Sequence, residues 1–130
     1  MGVNFLWDTN TVIYYLQQQL SLPAEKFIDE ILSISRPAIS AITEIELRCW
    51  KSATENDILV LNNFINDSFV YELYNDVKGK TIEIRKEYTI KLPDAIIAAT
   101  AMVNNFTLLN RNAKDFNRIK GLKFANPFEL

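Results

Sequence analysis

The sequence contains no histidine, one cysteine, three glycines and four prolines in 130 residues. Each scarcity excludes something. Without histidine there is no Ser-His-Asp triad and no imidazole general base. With Cys49 as the sole thiol, a zinc site built from Cys and His ligands is out as well. Cys49 has no partner for an internal disulfide and no neighbouring base, and is expected to be a buried structural thiol. No apolar run is long enough to span a membrane, and no basic segment precedes an apolar stretch as in a signal peptide. The chain therefore reads as cytoplasmic, with no membrane partner. What remains for strong chemistry is carboxylate, lysine, hydroxyl, or a hard cation held by oxygen.

What is present is enough for a real core. Hydrophobic residues make up 48% and aromatics 12%, which suits one folded domain over residues 1–130. The net charge of −2 does not decide about a nucleic-acid partner. An acidic cation site lowers the total while basic residues sit around its rim.

Along the chain, short apolar runs alternate with helical spacings. Residues 3–7 form a bounded apolar run suited to a buried strand. A helix is expected over 9–20, with Val12, Ile13, Leu16 and Leu20 on one side, and another begins at Pro23 in the N1 position. Residues 37–41 read as a second strand. Thr43-Glu44-Ile45-Glu46 has the Thr-x-x-Glu form of a capping box that starts a helix, and Thr54-Glu55-Asn56-Asp57 is a similar start. A strand at 69–73 and a helix at 76–88 follow. The stretch 95–103 is small or apolar on all sides except Thr100, as in a helix packed between other elements. A strand at 106–109, a short helical turn at 113–116 and an edge strand at 122–124 complete the pattern. Strands alternating with helices imply an α/β fold, a parallel sheet covered on both faces.

In such a sheet ligands bind at the carboxyl ends of the strands. Asp8 ends the first strand, Glu46 is placed in the first turn after the second, Asp94 heads the alanine-rich helix, and Asp115 lies beyond the fourth strand. Each has an ordinary alternative, because acids at helix starts cap N–H groups and suit the dipole. Convergence is what weighs against it: carboxylates crowded in a cleft repel one another and call for a cation, Mg²⁺ or Mn²⁺. Glu44 and Glu46 point about 200° apart on a helix, so one of them faces the site. Glu46 is taken as that residue and Glu44 as a solvated charge.

At these residues the chain resembles PIN domains, particularly the VapC toxins of bacterial toxin–antitoxin pairs. Phe5-Leu6-Trp7-Asp8-Thr9-Asn10 is similar to the family's opening strand and Asp-Thr-Asn/Ser. The run from Ile39 to Arg48 is similar to its Ile-Ser-x-x-Thr-x-x-Glu-Leu segment. Pro93-Asp94-Ala95-Ile96-Ile97-Ala98-Ala99-Thr100-Ala101 resembles its Asp-Ala-x-Ile-Ala-Ala-Thr-Ala helix, and Leu108 to Phe116 its Leu-x-Thr-x-Asn-x-x-Asp-Phe block. The four blocks come in family order over nearly the whole chain. The resemblance implies a three-layer α/β/α sandwich around a parallel sheet of four or five strands. It implies a Mg²⁺- or Mn²⁺-dependent endoribonuclease, the toxin of a type II toxin–antitoxin system, with RNA as substrate, a cognate antitoxin and a homodimer. Asp8, Glu46 and Asp94 match the acidic core that holds the metal. Asn110 stands where Thr or Ser is usual, and Asn112 where some members have Asp. Asp115 is either the fourth acid or a cap of the turn before Phe116.

Arg48, Lys51, Lys91 and Arg111 flank the acidic blocks and are candidates to grip an RNA backbone. Tyr14, Tyr15 and Trp50 are surplus apolar residues for a dimer surface. Two rival readings stand beside the nuclease. One is a phosphohydrolase of haloacid-dehalogenase type, since Asp8-Thr9-Asn10-Thr11 nearly matches an Asp-x-Asp-x-Thr motif. The other is a PIN-like binding module without catalysis.

Overall fold

Five three-residue strands run parallel through the middle of the protein, a computed structural model that describes residues 4–111 and 113–129. The strands are β1 (Phe5–Trp7), β2 (Ala38–Ser40), β3 (Phe69–Tyr71), β4 (Thr107–Leu109) and β5 (Lys123–Ala125), in the spatial order β3-β2-β1-β4-β5. Six helices connect them: α1 (Thr9–Leu16), α2 (Leu22–Ile34), α3 (Ala41–Arg48), α4 (Glu55–Asp67), α5 (Asn75–Glu87) and α6 (Leu92–Val103). The α/β class and the sandwich hold, with five strands. Val3, expected to open the first strand, lies outside the described residues, as does Asn112.

Side-chain alternation along the strands divides the core in two. Leu6, Ala38 and Leu108 point into one cluster with Val77 and Ile84 of α5 and Ala95, Ala98 and Ala99 of α6. Their neighbours Trp7, Ile39 and Leu109 point the other way, onto Val12 of α1, Ile28 and Ile31 of α2, and Leu61, Phe64 and Ile65 of α4. A parallel sheet covered on both faces needs strands that are apolar throughout, and β2 is buried at all three positions. The small side chains of α6 let it sit close to both α5 and the sheet. Each fully buried Leu or Ile contributes roughly 1.5–3 kcal/mol.

The third strand ends at Tyr71 rather than residue 73, the fifth is Lys123–Ala125 rather than 122–124, and three larger expectations shift. The first helix stops at Leu16 rather than residue 20. Gln18 takes a left-handed conformation (φ 56°), and the N–H groups of Gln18 and Gln19 close onto the carbonyls of Tyr15 and Tyr14. The third helix starts at Ala41, because Ser40 is its N-cap and accepts from Thr43 N. Thr43 is thus not a cap, and Glu46 stands in the second turn rather than the first. Cys49 is exposed, not buried, because it is the C-cap residue just past the end of α3.

Candidate active site

The strand order places a switch point at the middle of the sheet. From β1 the chain steps outward to β2 and β3, then crosses back past β1 to β4 and β5. The carboxyl ends of β1 and β4 therefore open a crevice, the usual ligand position in an open α/β sheet. The register Trp7↔Leu109 brings the next residues, Asp8 and Asn110, together there. Asp8 N donates to Leu109 O at 3.1 Å, and the Thr11 hydroxyl donates to the same carbonyl at 2.8 Å, which locks the start of α1 to β4.

Asp8, Thr9, Asn10, Glu46, Lys91, Asp94, Asn110 and Asp115 line one cleft of about 410 Å³ at this edge. All four acids singled out in the sequence thus reach it. Asp8 is 5% exposed and Asn110 is 2% exposed, and the Asn110 Nδ2 donates to Asp8 Oδ2 at 3.1 Å. Glu46 comes from α3, which packs against both α1 and α6. The Thr9 hydroxyl donates to Glu46 Oε1 at 2.6 Å and lies 3.1 Å from the Thr43 hydroxyl. Asp94 sits in the first turn of α6, behind Pro93. Asp115 ends a 3₁₀ turn, Ala113–Asp115, between β4 and β5.

Local backbone groups account for only part of the setting of Asp8, whose carboxyl feels the Thr9 and Asn10 N–H groups. Asp8 and Lys91 are the N-cap residues of α1 and α6, and neither helix has a side-chain cap hydrogen bond. Electrostatics show the crowding. Burial first, then the charge of Asp94 and more weakly that of Glu46, pushes the Asp8 carboxyl up to about 7, against the pull of the Thr9 and Asn10 N–H groups. Burial and the charges of Asp115 and Glu46 also raise Asp94, while Lys91 holds it down. Among the described residues, no three carboxylates stand close enough to close on one ion by themselves. The donor set is nonetheless all oxygen and acidic. It suits a hard divalent cation that keeps several waters and takes one or two carboxylates, as Mg²⁺ does.

Of the basic residues expected at the rim, Lys91 lines the cleft. Arg48 is committed to Glu44 (2.9 Å) and Asn62, so Glu44 is a paired charge rather than a merely solvated one. Arg111 stacks on Phe128 at 4.2 Å and Tyr14 at 5.3 Å. Tyr15 packs on Trp7 and Phe64, and Trp50 lies beyond the end of α3, donating to Ser52 Oγ. Tyr14 and Tyr15 thus both make ring contacts within the chain and are half-buried. Sequence reasoning missed the buried amide of Asn110. The signal available was its substitution for a hydroxyl residue directly after a strand.

The PIN domain family model matches residues 5–122. Among curated proteins none matches the chain. Among solved structures, the chain is similar to a toxin–antitoxin complex from Klebsiella pneumoniae, at 29% identity and TM-score 0.78, covering 98% of this chain and 100% of that one. It is similar to a DNA-bound VapBC from Salmonella typhimurium, at 25% identity and TM-score 0.80, covering 97% and 99%. VapBC2 from Rickettsia felis, bound to a DNA fragment from its promoter, shares the fold at 22% identity and TM-score 0.80, covering 95% and 98%. The chain belongs to the PIN domain family, with the fold of VapC-type toxins.

Proposed function

We infer that the protein is a Mg²⁺- or Mn²⁺-dependent endoribonuclease, the toxin of a type II toxin–antitoxin pair. The observation that carries this reading is the convergence of Asp8, Glu46, Asp94 and Asp115, from four separate stretches of the chain, on one cleft at the switch point. Asp8, raised by burial and by Asp94 and Glu46, and Asp94, raised by burial and by Asp115 and Glu46, gain most from a cation. They are assigned as its direct holders, with Glu46 beside them and Asp115 at the outer side. A divalent cation held by these carboxylates would supply Lewis-acid chemistry for in-line attack of water on an RNA phosphodiester. Attack forms one P–O bond and breaks another, leaving one fragment with a phosphate and the other with a hydroxyl.

The protein's own groups hold this arrangement. Asn110 fixes Asp8 Oδ2, so the carboxylate cannot turn away. Thr9 takes Glu46 into the cleft through its hydroxyl. Lys91 offsets the acids and helps the cleft tolerate a polyanion. An RNA substrate and a single thiol fit the cytoplasm. A cognate antitoxin follows from the complexes this fold is found in. A homodimer has surface available in exposed Leu22, Ile34, Leu59 and Ile82. The match of the PIN model over residues 5–122 weighs against the haloacid-dehalogenase alternative, and the acids in one cleft against a binding module. The test is cleavage of a structured RNA by the purified, antitoxin-free protein in millimolar Mg²⁺ or Mn²⁺. Chelator should stop it. Cleavage indifferent to chelator would overturn the metal assignment.

A further inference from the structure

The acidic cleft opens sideways. Lys91, Asp94 and Asp115 also line a second cavity of about 540 Å³, where Arg85 and Arg118 join them. Arg85 is in the last turn of α5 and Arg118 follows the 3₁₀ turn, yet both fasten on the same loop. Arg85 Nη1 donates to Ile90 O at 3.0 Å, and Arg118 Nη2 donates to Thr89 O. Lys91 comes next in that loop. Three cations from three parts of the chain thus share one wall.

The two arginines are held by carbonyls, and Lys91 lowers Asp94 without closing an ion pair on it. Among the described residues the ion pairs are Arg48–Glu44 and Lys80–Glu83, and neither arginine nor Lys91 takes part in one. A guanidinium has five N–H donors in a planar fork, and the carbonyl here uses one edge. Tethering two long side chains before binding lowers the ordering cost of a ligand. The fork itself matches the paired oxygens of a phosphate. A cleft lined with four carboxylates repels a polyanion, so a nucleic-acid strand needs a cationic hold close by.

We propose that Arg85, Arg118 and Lys91 form a phosphate-binding subsite that holds the RNA backbone next to the scissile bond, on the α5–α6 side of the acidic cleft. The subsite rests on the ribonuclease reading, and its test separates the two. Binding of a labelled single-stranded RNA is followed by fluorescence anisotropy at several salt concentrations, in Asp8→Asn protein to keep the RNA intact. Adding Arg85→Gln and Arg118→Gln should weaken binding roughly tenfold per arginine. It should also reduce the slope of log K against log salt by about 1.4, at about 0.7 per phosphate contact. The Arg→Lys pair keeps the charge and should keep most of the slope. Lys26→Gln on α2, outside both cavities, should change neither.

A double Gln variant with unchanged affinity and slope overturns the subsite and leaves the nuclease intact. Equal loss in the Gln and Lys pairs, with lowered melting temperatures, also overturns it, because the arginines would then be serving the fold. A labelled oligoglutamate that binds as tightly with the same arginine dependence reassigns the wall to an acidic protein segment. Arginine-dependent RNA binding by a wild-type protein that cuts no RNA sinks the nuclease reading and keeps the subsite. No RNA binding by any form overturns both.

Discussion

Thr43-Glu44-Ile45-Glu46 and Thr54-Glu55-Asn56-Asp57 look alike in the sequence, and the fold uses them in opposite ways. At α4 the pattern works as a capping box. Thr54 Oγ1 accepts from Asp57 N at 3.1 Å, and Asp57 Oδ2 accepts from Thr54 N at 2.9 Å. At α3 the helix has already begun at Ser40, which leaves Thr43 fully buried and Glu46 a turn further on. Glu46 then takes its hydrogen bond from Thr9, 37 positions away. An acid satisfied within its own turn stabilises that turn. An acid whose partner comes from another element is held in place for what lies between the elements.

The sharpest way to break this comparison is to neutralise one acid of each kind. Asp8→Asn should lower RNA cleavage by at least about 100-fold, the scale seen when a group stabilising reaction charge is lost. Asp57→Asn should leave the rate within a factor of about two. Equal rates for both variants, measured on one RNA under single-turnover conditions, would erase the distinction.

Stability should separate the same two positions with opposite sign. The Asp8 pKa is raised from 3.8 to about 7 on folding. Between those values the folded state binds more protons than the unfolded one, so stability falls as pH rises. Asp94 shifts in the same direction. At about 1.36 kcal/mol per pKa unit, ionised Asp8 costs the metal-free fold up to about 4 kcal/mol above pH 7. Metal-free wild type should therefore gain stability in urea melts from pH 8 to pH 5, and Asp8→Asn should show less of that gain while being the more stable protein at pH 8. Mg²⁺ at 100 times its Kd should add about 2.7 kcal/mol to wild type and much less to Asp8→Asn. A wild-type profile that rises from pH 5 to pH 8 without metal would contradict the crowding.

The cap has a smaller signature. Thr54→Ala should cost about 1 kcal/mol in a denaturant melt and spare activity. Thr9→Val, which removes the hydroxyl from Glu46, should do the reverse: a loss of roughly tenfold in rate with little change in melting. Smallest of all is Gln18→Gly. Relief of a left-handed non-glycine residue should raise stability by roughly 0.5–1 kcal/mol.

That last position explains part of what the sequence concealed. Both α1 and α6 end on a left-handed residue that is not glycine, Gln18 and Asn105, each followed by N–H groups that close onto the last turn. With no glycine as a signal, Leu20 continued the apolar spacing and the first helix read too long. The strands were legible because each centres on apolar residues between polar ones, with β5 (Lys123–Ala125) the weakest such signal, and both faces of the sheet are covered. The acids were legible because the strand ends are. Asp8 and Asp94 needed only the placement of two elements. The basic wall was not legible, since Arg85 and Arg118 meet through carbonyls of a loop whose course no local pattern encodes. Arg48 and Arg111, adjacent to the motifs in sequence, were drawn into Glu44 and into Tyr14 and Phe128 instead.

The pairing of Asp8 with Asn110 spans 102 positions. It bears on how the protein is made. Synthesis delivers Asp8 first, then Asp94 on α6, and Asn110 after both. A nascent chain that ends before β4 has neither the strand that pairs with β1 nor the amide that fixes Asp8, so its acids have no common cleft to share. Contacts of such long sequence separation form late and at high entropic cost. A nuclease of this fold emerging from a ribosome thus lacks its assembled cleft until β4 is out. The timing is set by strand order alone, before any partner protein is needed.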